Sequence, residues 1–151
     1  MRFRFSQGVL CLMIALIFIP ATRLPYVELG ACDPDEAVGA MVGQAILEGG
    51  IPYVDAIDHR GPLSYYFFAT VFAIAGPLNM FALHIALMLM IMSMAILIYR
   101  IGTHAFSDRV AGWATLLFAI LSWTGKPPDM LAAHTEWLMA FFTLPGFWVW
   151  L

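Results

Sequence analysis

Leu78 to Tyr99 (LNMFALHIALMLMIMSMAILIY) is a run of 22 residues without a formal charge. A membrane-spanning helix needs about 20 mostly apolar residues, and this run supplies them. It limits the chain to folds that have an apolar solvent on at least one side. The composition agrees, with 62% hydrophobic and 11% charged residues against about 25% charged in an average soluble domain. A soluble globule of 151 residues cannot hide that much apolar surface, so the bilayer is the expected surroundings. The net charge of −3 averages over regions facing different compartments and decides little. No basic run interleaved with aromatics is present, which excludes nucleic acid as an expected partner.

Further apolar runs set the expected architecture, an all-α polytopic membrane protein. Spans are expected over 5–22, 78–100, 106–123 and 136–151. An outer loop, 23–77, carries juxtamembrane helices at 34–48 and 63–75. A cleaved signal peptide is the rival reading of the first span, but Pro20-Ala21-Thr22-Arg23-Leu24-Pro25 is not a small-x-small cleavage site, and an uncleaved anchor is favoured. Arg2 and Arg4 before it place the N-terminus in the cytoplasm, and Arg100, His104 and Arg109 place the far end of the 78–100 span there too. Leu63 to Ala75 is only 13 residues, about 20 Å of helix, and reads as an interfacial helix between Gly61-Pro62 and Gly76-Pro77. That choice puts 23–62 and the 125–136 loop on one, non-cytoplasmic face. The last apolar run stops without a polar flank, so the sequence is expected to be a fragment of a larger membrane domain.

Against this background the acids are unevenly spread. Seven of the ten lie between Arg23 and Pro62. Asp33-Pro34-Asp35-Glu36 is a good helix start, with Asp33 as N-cap, Pro34 at N1 and Glu36 at N3 closing a capping box. The helix is expected to stop at Gly49-Gly50. Its positions Val38, Met41, Val42, Ala45 and Ile46 make an apolar face suited to a membrane surface. Capping uses Asp33 and Glu36 and leaves Asp35 over. A second polar cluster, Asp55, Asp58, His59 and Arg60, follows directly before the interfacial helix. Gathered carboxylates repel one another unless a cation, a substrate or local basic groups compensate them. A carboxylate in this place can take a proton from an attacking hydroxyl, and Arg60 can grip a phosphate.

The other chemistry-bearing residues have plainer readings. Cys11 sits in an apolar run and Cys32 in the polar loop, with no metal-binding spacing between them. His84, inside the long run, is expected to make a polar contact between helices. The methionines read as packing residues and the tryptophans as interface anchors. Lys126 and Asp129, in the outer loop, are either solvated or near a site.

The order of motifs resembles the first outer loop of the GT-C fold membrane glycosyltransferases that use polyprenyl-phosphate sugars. The dolichyl-phosphate-mannose-protein mannosyltransferase-like group, with its lipopolysaccharide-core and lipid A sugar transferases (RgtA/B/C/D-like), is the most similar subset. The family pattern is an acid-Glu pair, then Gly-x-Pro-Tyr-x-Asp, then a Lys-x-Pro-Leu segment. The corresponding residues are Asp35-Glu36, Gly50 to Asp55, and Arg60-Gly61-Pro62-Leu63, where Arg replaces Lys. Tyr99 to Gly102 and Arg109 to Gly112 look like the family's cytoplasmic turn, and His134-Thr135-Glu136 occupies the place of its second acidic motif. The resemblance covers nearly the whole chain as an N-terminal portion of that fold.

The resemblance implies a hexosyl- or pentosyltransferase of the bacterial inner membrane, working by inverting transfer at the extracytoplasmic face. The donor is a polyprenyl-phosphate sugar and the acceptor a lipid, glycan or protein. Asp35 is implied as general base with Glu36 beside it, Glu136 as a second catalytic carboxylate, and Arg60 with His59 as holders of the donor phosphate. Tyr53, Asp55 and Asp58 are implied at the substrate. A divalent metal ion is left open, with Asp35 and Glu136 as its ligands if one binds. The alternatives are a non-catalytic membrane binding or assembly module and a transporter fragment. The latter predicts a Gly/Pro-broken span near mid-membrane, and only Pro145-Gly146 offers one.

Overall fold

The computed structural model describes residues 6–55, 60–123 and 132–151. Arg2 and Arg4 lie outside them. Among the described residues the chain is all-helical, without a strand. The α-helices are α1 (Gln7–Arg23), α2 (Pro34–Leu47), α3 (Pro62–Ala75), α4 (Met80–Ala105), α5 (Asp108–Leu121) and α6 (Thr135–Trp150). A 3-10 turn, Leu24–Tyr26, follows α1.

Among the described residues two stretches are long and apolar enough to cross a membrane, Gln7–Tyr26 with 20 residues and Met80–Ala105 with 26. Only 28% and 44% of their most apolar windows are buried. A core helix of a soluble protein hides most of its surface, so these two helices point to membrane association. Four spans were expected. The 106–123 run is shortened because Ser107 caps α5 and Ser122 ends it, leaving 14 helical residues. The last run forms 16 helical residues. Both fall below the length of about 17 residues that crosses a bilayer without help from flanking segments.

The chain divides into two compact units. One comprises the described residues of Met1–Pro25, Met88–Gly125 and Ala140–Leu151. Its centre is the pair α1 and α5, joined through small residues. Gly8, Cys11, Ala15 and Ile19 form the buried stripe of α1, and Ala111, Gly112, Thr115 and Ala119 that of α5. The backbones come so close that a Cβ on Gly112 would stand 2.5 Å from the Gly8 Cα. Such approach gains dispersion energy where lipid offers no hydrophobic drive between helices.

Polar side chains tie this pair at both ends. Asp108 accepts hydrogen bonds from the Ser6 hydroxyl at 2.9 Å, the Gly8 N–H at 2.9 Å and the Tyr99 hydroxyl at 2.6 Å. It thereby satisfies one of the unpaired N–H groups that begin α1. At the other end the buried Arg23 donates to the Ser122 carbonyl at 2.7 Å and the Ser122 hydroxyl at 3.0 Å. Its guanidinium lies 5.4 Å from the Trp123 ring centroid.

The second unit comprises the described residues of Tyr26–Leu87 and Lys126–Met139. Here α2 packs on α3. Gly39 and Gly43 form a groove for the Phe68 ring, and a Cβ on Gly43 would stand 2.6 Å from the Phe68 Cβ. The buried side of α2 is therefore the stripe Glu36, Gly39, Ala40 and Gly43, joined by Val42. Val38 and Met41, on the expected apolar face, stay exposed. The helix ends as its glycines require. Gly49 takes φ +91°, and the Gly50 N–H donates to the Ala45 carbonyl at 2.8 Å, the bond pattern of a Schellman cap. Gly76, at φ +102°, ends α3.

The glycine contact makes a clear demand on α5. Gly112→Leu is expected to lower stability by about 1–3 kcal/mol through overpacking. Leu117→Met, on the exposed face, is expected to stay within about 0.5 kcal/mol. Thermal unfolding followed by far-UV circular dichroism in detergent compares the two.

Candidate functional site

The second unit carries the acidic cluster. Asp33 caps α2 as its sequence implies. Its carboxylate accepts from the Asp35 N–H at 2.6 Å and the Glu36 N–H at 3.0 Å. The capping box does not close. Glu36 turns away from the Asp33 backbone and accepts instead from the Cys32 N–H at 2.7 Å and the Ala133 N–H at 2.8 Å. It is 1% exposed. The imidazole of His84, also buried, sets its Nε2 3.3 Å from Glu36 Oε1, and its Nδ1 lies 3.1 Å from the Val27 carbonyl oxygen. Cys32 Sγ lies 3.7 Å from the same Nε2. Burial and the nearby carboxylates of Glu36 and Asp33 push the Cys32 thiol up to about 11, so without a cation it is a neutral thiol at pH 7.

Asp35 behaves differently. It points outward, with 63% of its side chain exposed, and meets Arg60 Nη2 at 2.7 Å. Arg60 is held by its own backbone between two tyrosines. Its N–H donates to the Tyr65 hydroxyl at 3.1 Å, and its carbonyl accepts from the Tyr53 hydroxyl at 2.5 Å. The two rings touch edge to face at 5.8 Å. Tyr53 takes φ +69°, a conformation uncommon outside glycine and often kept where function requires it.

The expected site residues thus separate. Asp35, Arg60 and Tyr53 come together at an exposed surface. Glu36 does not join them there. Its carboxylate is enclosed, and each oxygen accepts one backbone N–H. Asp55 closes a local turn by accepting from the Ile51 N–H at 2.8 Å. Glu136 stands exposed in the first turn of α6. The group from its segment that reaches the acids is His134, whose Nε2 is 3.8 Å from Asp33 Oδ2. Asp58, His59, Lys126 and Asp129 lie outside the described residues.

Among the described residues two sets of ligand atoms each gather within 4.8 Å, the surface set Asp33, Asp35 and His134 and the inner set Cys32, Glu36 and His84. The open question of a divalent ion at Asp35 therefore has a partner in His134. No sequence signal marks the inner set, because His84 lies 48 residues from Glu36 inside an unbroken apolar run.

The two neighbouring acids are expected to respond differently to mutation. Glu36→Ala leaves two N–H donors without their acceptor and His84 without its partner, and is expected to cost about 3–5 kcal/mol. Asp35→Asn removes one solvent-facing ion pair and is expected to cost below about 1 kcal/mol. Thermal unfolding of both variants in detergent measures the difference. No protein-family model, no curated protein and no solved structure matches the chain.

Proposed function

We propose that the chain carries a glycosyl-transfer site of the GT-C kind, taking a sugar from a polyprenyl-phosphate donor at the outer face of a membrane. In this reading α1, α4, α5 and α6 cross the bilayer, with flanking residues extending the shorter two. Helices α2 and α3 lie along its surface. The observation that carries the proposal is the Asp35–Arg60 pair at 2.7 Å, with Asp35 facing solvent. A carboxylate able to take a proton beside a guanidinium able to bind phosphate suits inverting transfer from a sugar phosphate.

The chemistry is a displacement at the anomeric carbon. The acceptor hydroxyl attacks, its proton passes to Asp35, and the bond from the anomeric carbon to the phosphate oxygen breaks. The polyprenyl phosphate leaves with its charge against Arg60. A donor phosphate competes with Asp35 for the Arg60 guanidinium and frees the carboxylate oxygens for the acceptor hydroxyl. Tyr53 and Tyr65 fix the Arg60 backbone, which lowers the entropy lost when the phosphate binds. The acceptor is a lipid, glycan or protein hydroxyl that reaches the membrane surface.

A transfer assay in membranes with labelled polyprenyl-phosphate sugar tests this. Asp35→Asn is expected to lower kcat by about 100- to 10,000-fold, while donor binding is kept or tightened because Arg60 is released. Arg60→Gln is expected to raise the donor KM. Unchanged transfer by an Asp35→Asn variant that inserts and accumulates normally would leave Asp33 to Glu36 as a helix cap alone.

A further inference from the structure

The inner cluster holds an electron-pair conflict. A carbonyl oxygen only accepts hydrogen bonds, so the 3.1 Å contact with Val27 requires the hydrogen on His84 Nδ1. In a neutral imidazole, Nε2 then presents a lone pair. That lone pair faces both Glu36 oxygens, at 3.3 and 3.4 Å, and these are acceptors too. A positive end has to stand at Nε2: the weakly donating S–H of Cys32 at 3.7 Å, a second proton, or a cation.

We infer that Cys32, Glu36 and His84 form a zinc site. Three independent features support the cation. The first is spacing. Bonds of about 2.0–2.3 Å in a tetrahedron hold ligand atoms about 3.3–3.6 Å apart. The Nε2 to Oε1 distance is 3.3 Å and the Sγ to Nε2 distance is 3.7 Å. The second is the orienting bond. Metal-bound histidines commonly donate their other N–H to a carbonyl or carboxylate, which fixes the tautomer, and Val27 does this. The third is charge. A zinc ion cancels one thiolate and one carboxylate, leaving a neutral site where an uncompensated charge would be costly.

The donor set selects the metal. Thiolate, imidazole and carboxylate suit zinc, whereas calcium and magnesium prefer oxygen alone. Binding releases the Cys32 thiol proton to water, and the thiolate binds the ion without any redox change. Cys32 is only partly buried, so its side of the cluster is the entry path and the position for a fourth ligand. The site would join the 27–32 loop, the first turn of α2 and the start of α4. It holds whether or not the neighbouring surface transfers sugar.

The test is metal analysis of the full chain in detergent, supplied with zinc and then passed through size exclusion. About one zinc per chain is expected, lost in Cys32→Ser and His84→Gln and retained in Asp33→Asn and His134→Gln. Cobalt in place of zinc should give a thiolate charge-transfer band that Cys32→Ser removes. If these variants do not fold, X-ray absorption of the zinc-loaded wild type answers alone, with one sulfur expected at about 2.3 Å. Folded wild type that holds no zinc would overturn the inference and leave an imidazolium–carboxylate pair or the Cys32 S–H at Nε2. Zinc that survives Cys32→Ser but leaves with Asp33→Asn or His134→Gln would also overturn it, since the surface set would then be the ligands.

Discussion

The enclosed carboxylate of Glu36 is the point on which the second unit depends. It accepts from Cys32 on one side and Ala133 on the other, and faces His84 of α4. Taking a carboxylate out of water costs several kcal/mol. Bonds from N–H groups to a charged oxygen return about 1.5–3 kcal/mol each. The carboxylate is therefore tolerable only while all its partners are present, and this all-or-none requirement fixes where those segments meet. With Glu36 fixed inside, Asp35 beside it is directed outward. Two adjacent positions in the first turn of α2 thus carry a structural acid and an available one.

Close approach of backbones is the second organising feature, and it occurs separately in each unit. Gly8 and Gly112 let α1 meet α5, and Gly39 and Gly43 let Phe68 settle into α2. Both contacts use size instead of hydrophobicity, which fits surroundings where apolar surface gains little by leaving lipid. The polar ties at the ends of α1, Asp108 and Arg23, then set which residues face each other along the small-residue stripe.

The proposed transfer site uses these frameworks sparingly. Its working groups, Asp35 and Arg60, come from segments 25 residues apart. They meet because the Asp33 cap sets the direction of Asp35 and the two tyrosines hold the Arg60 backbone. Tyr53 keeps a left-handed backbone to do so. The local strain and the solvent-facing ion pair lie together, an arrangement more typical of sites that bind than of sites that only support.

Local chemistry determined much of this protein. The starts at Asp33-Pro34 and Gly61-Pro62, the stops at Gly49 and Gly76, and the apolar class all follow from residues within one turn of the feature they set. The expected capping box shows the limit. Glu36 had the right type and spacing, but tertiary structure gave it better donors, one of them 97 residues away. The same reason hid His84 and Cys32 as neighbours and brought His134 to the acids in the place expected for Glu136. A helix cap depends on backbone groups a few residues off, so sequence specifies it. A side chain's distant partners depend on which segments the packed chain brings together, and only the folded structure decided that.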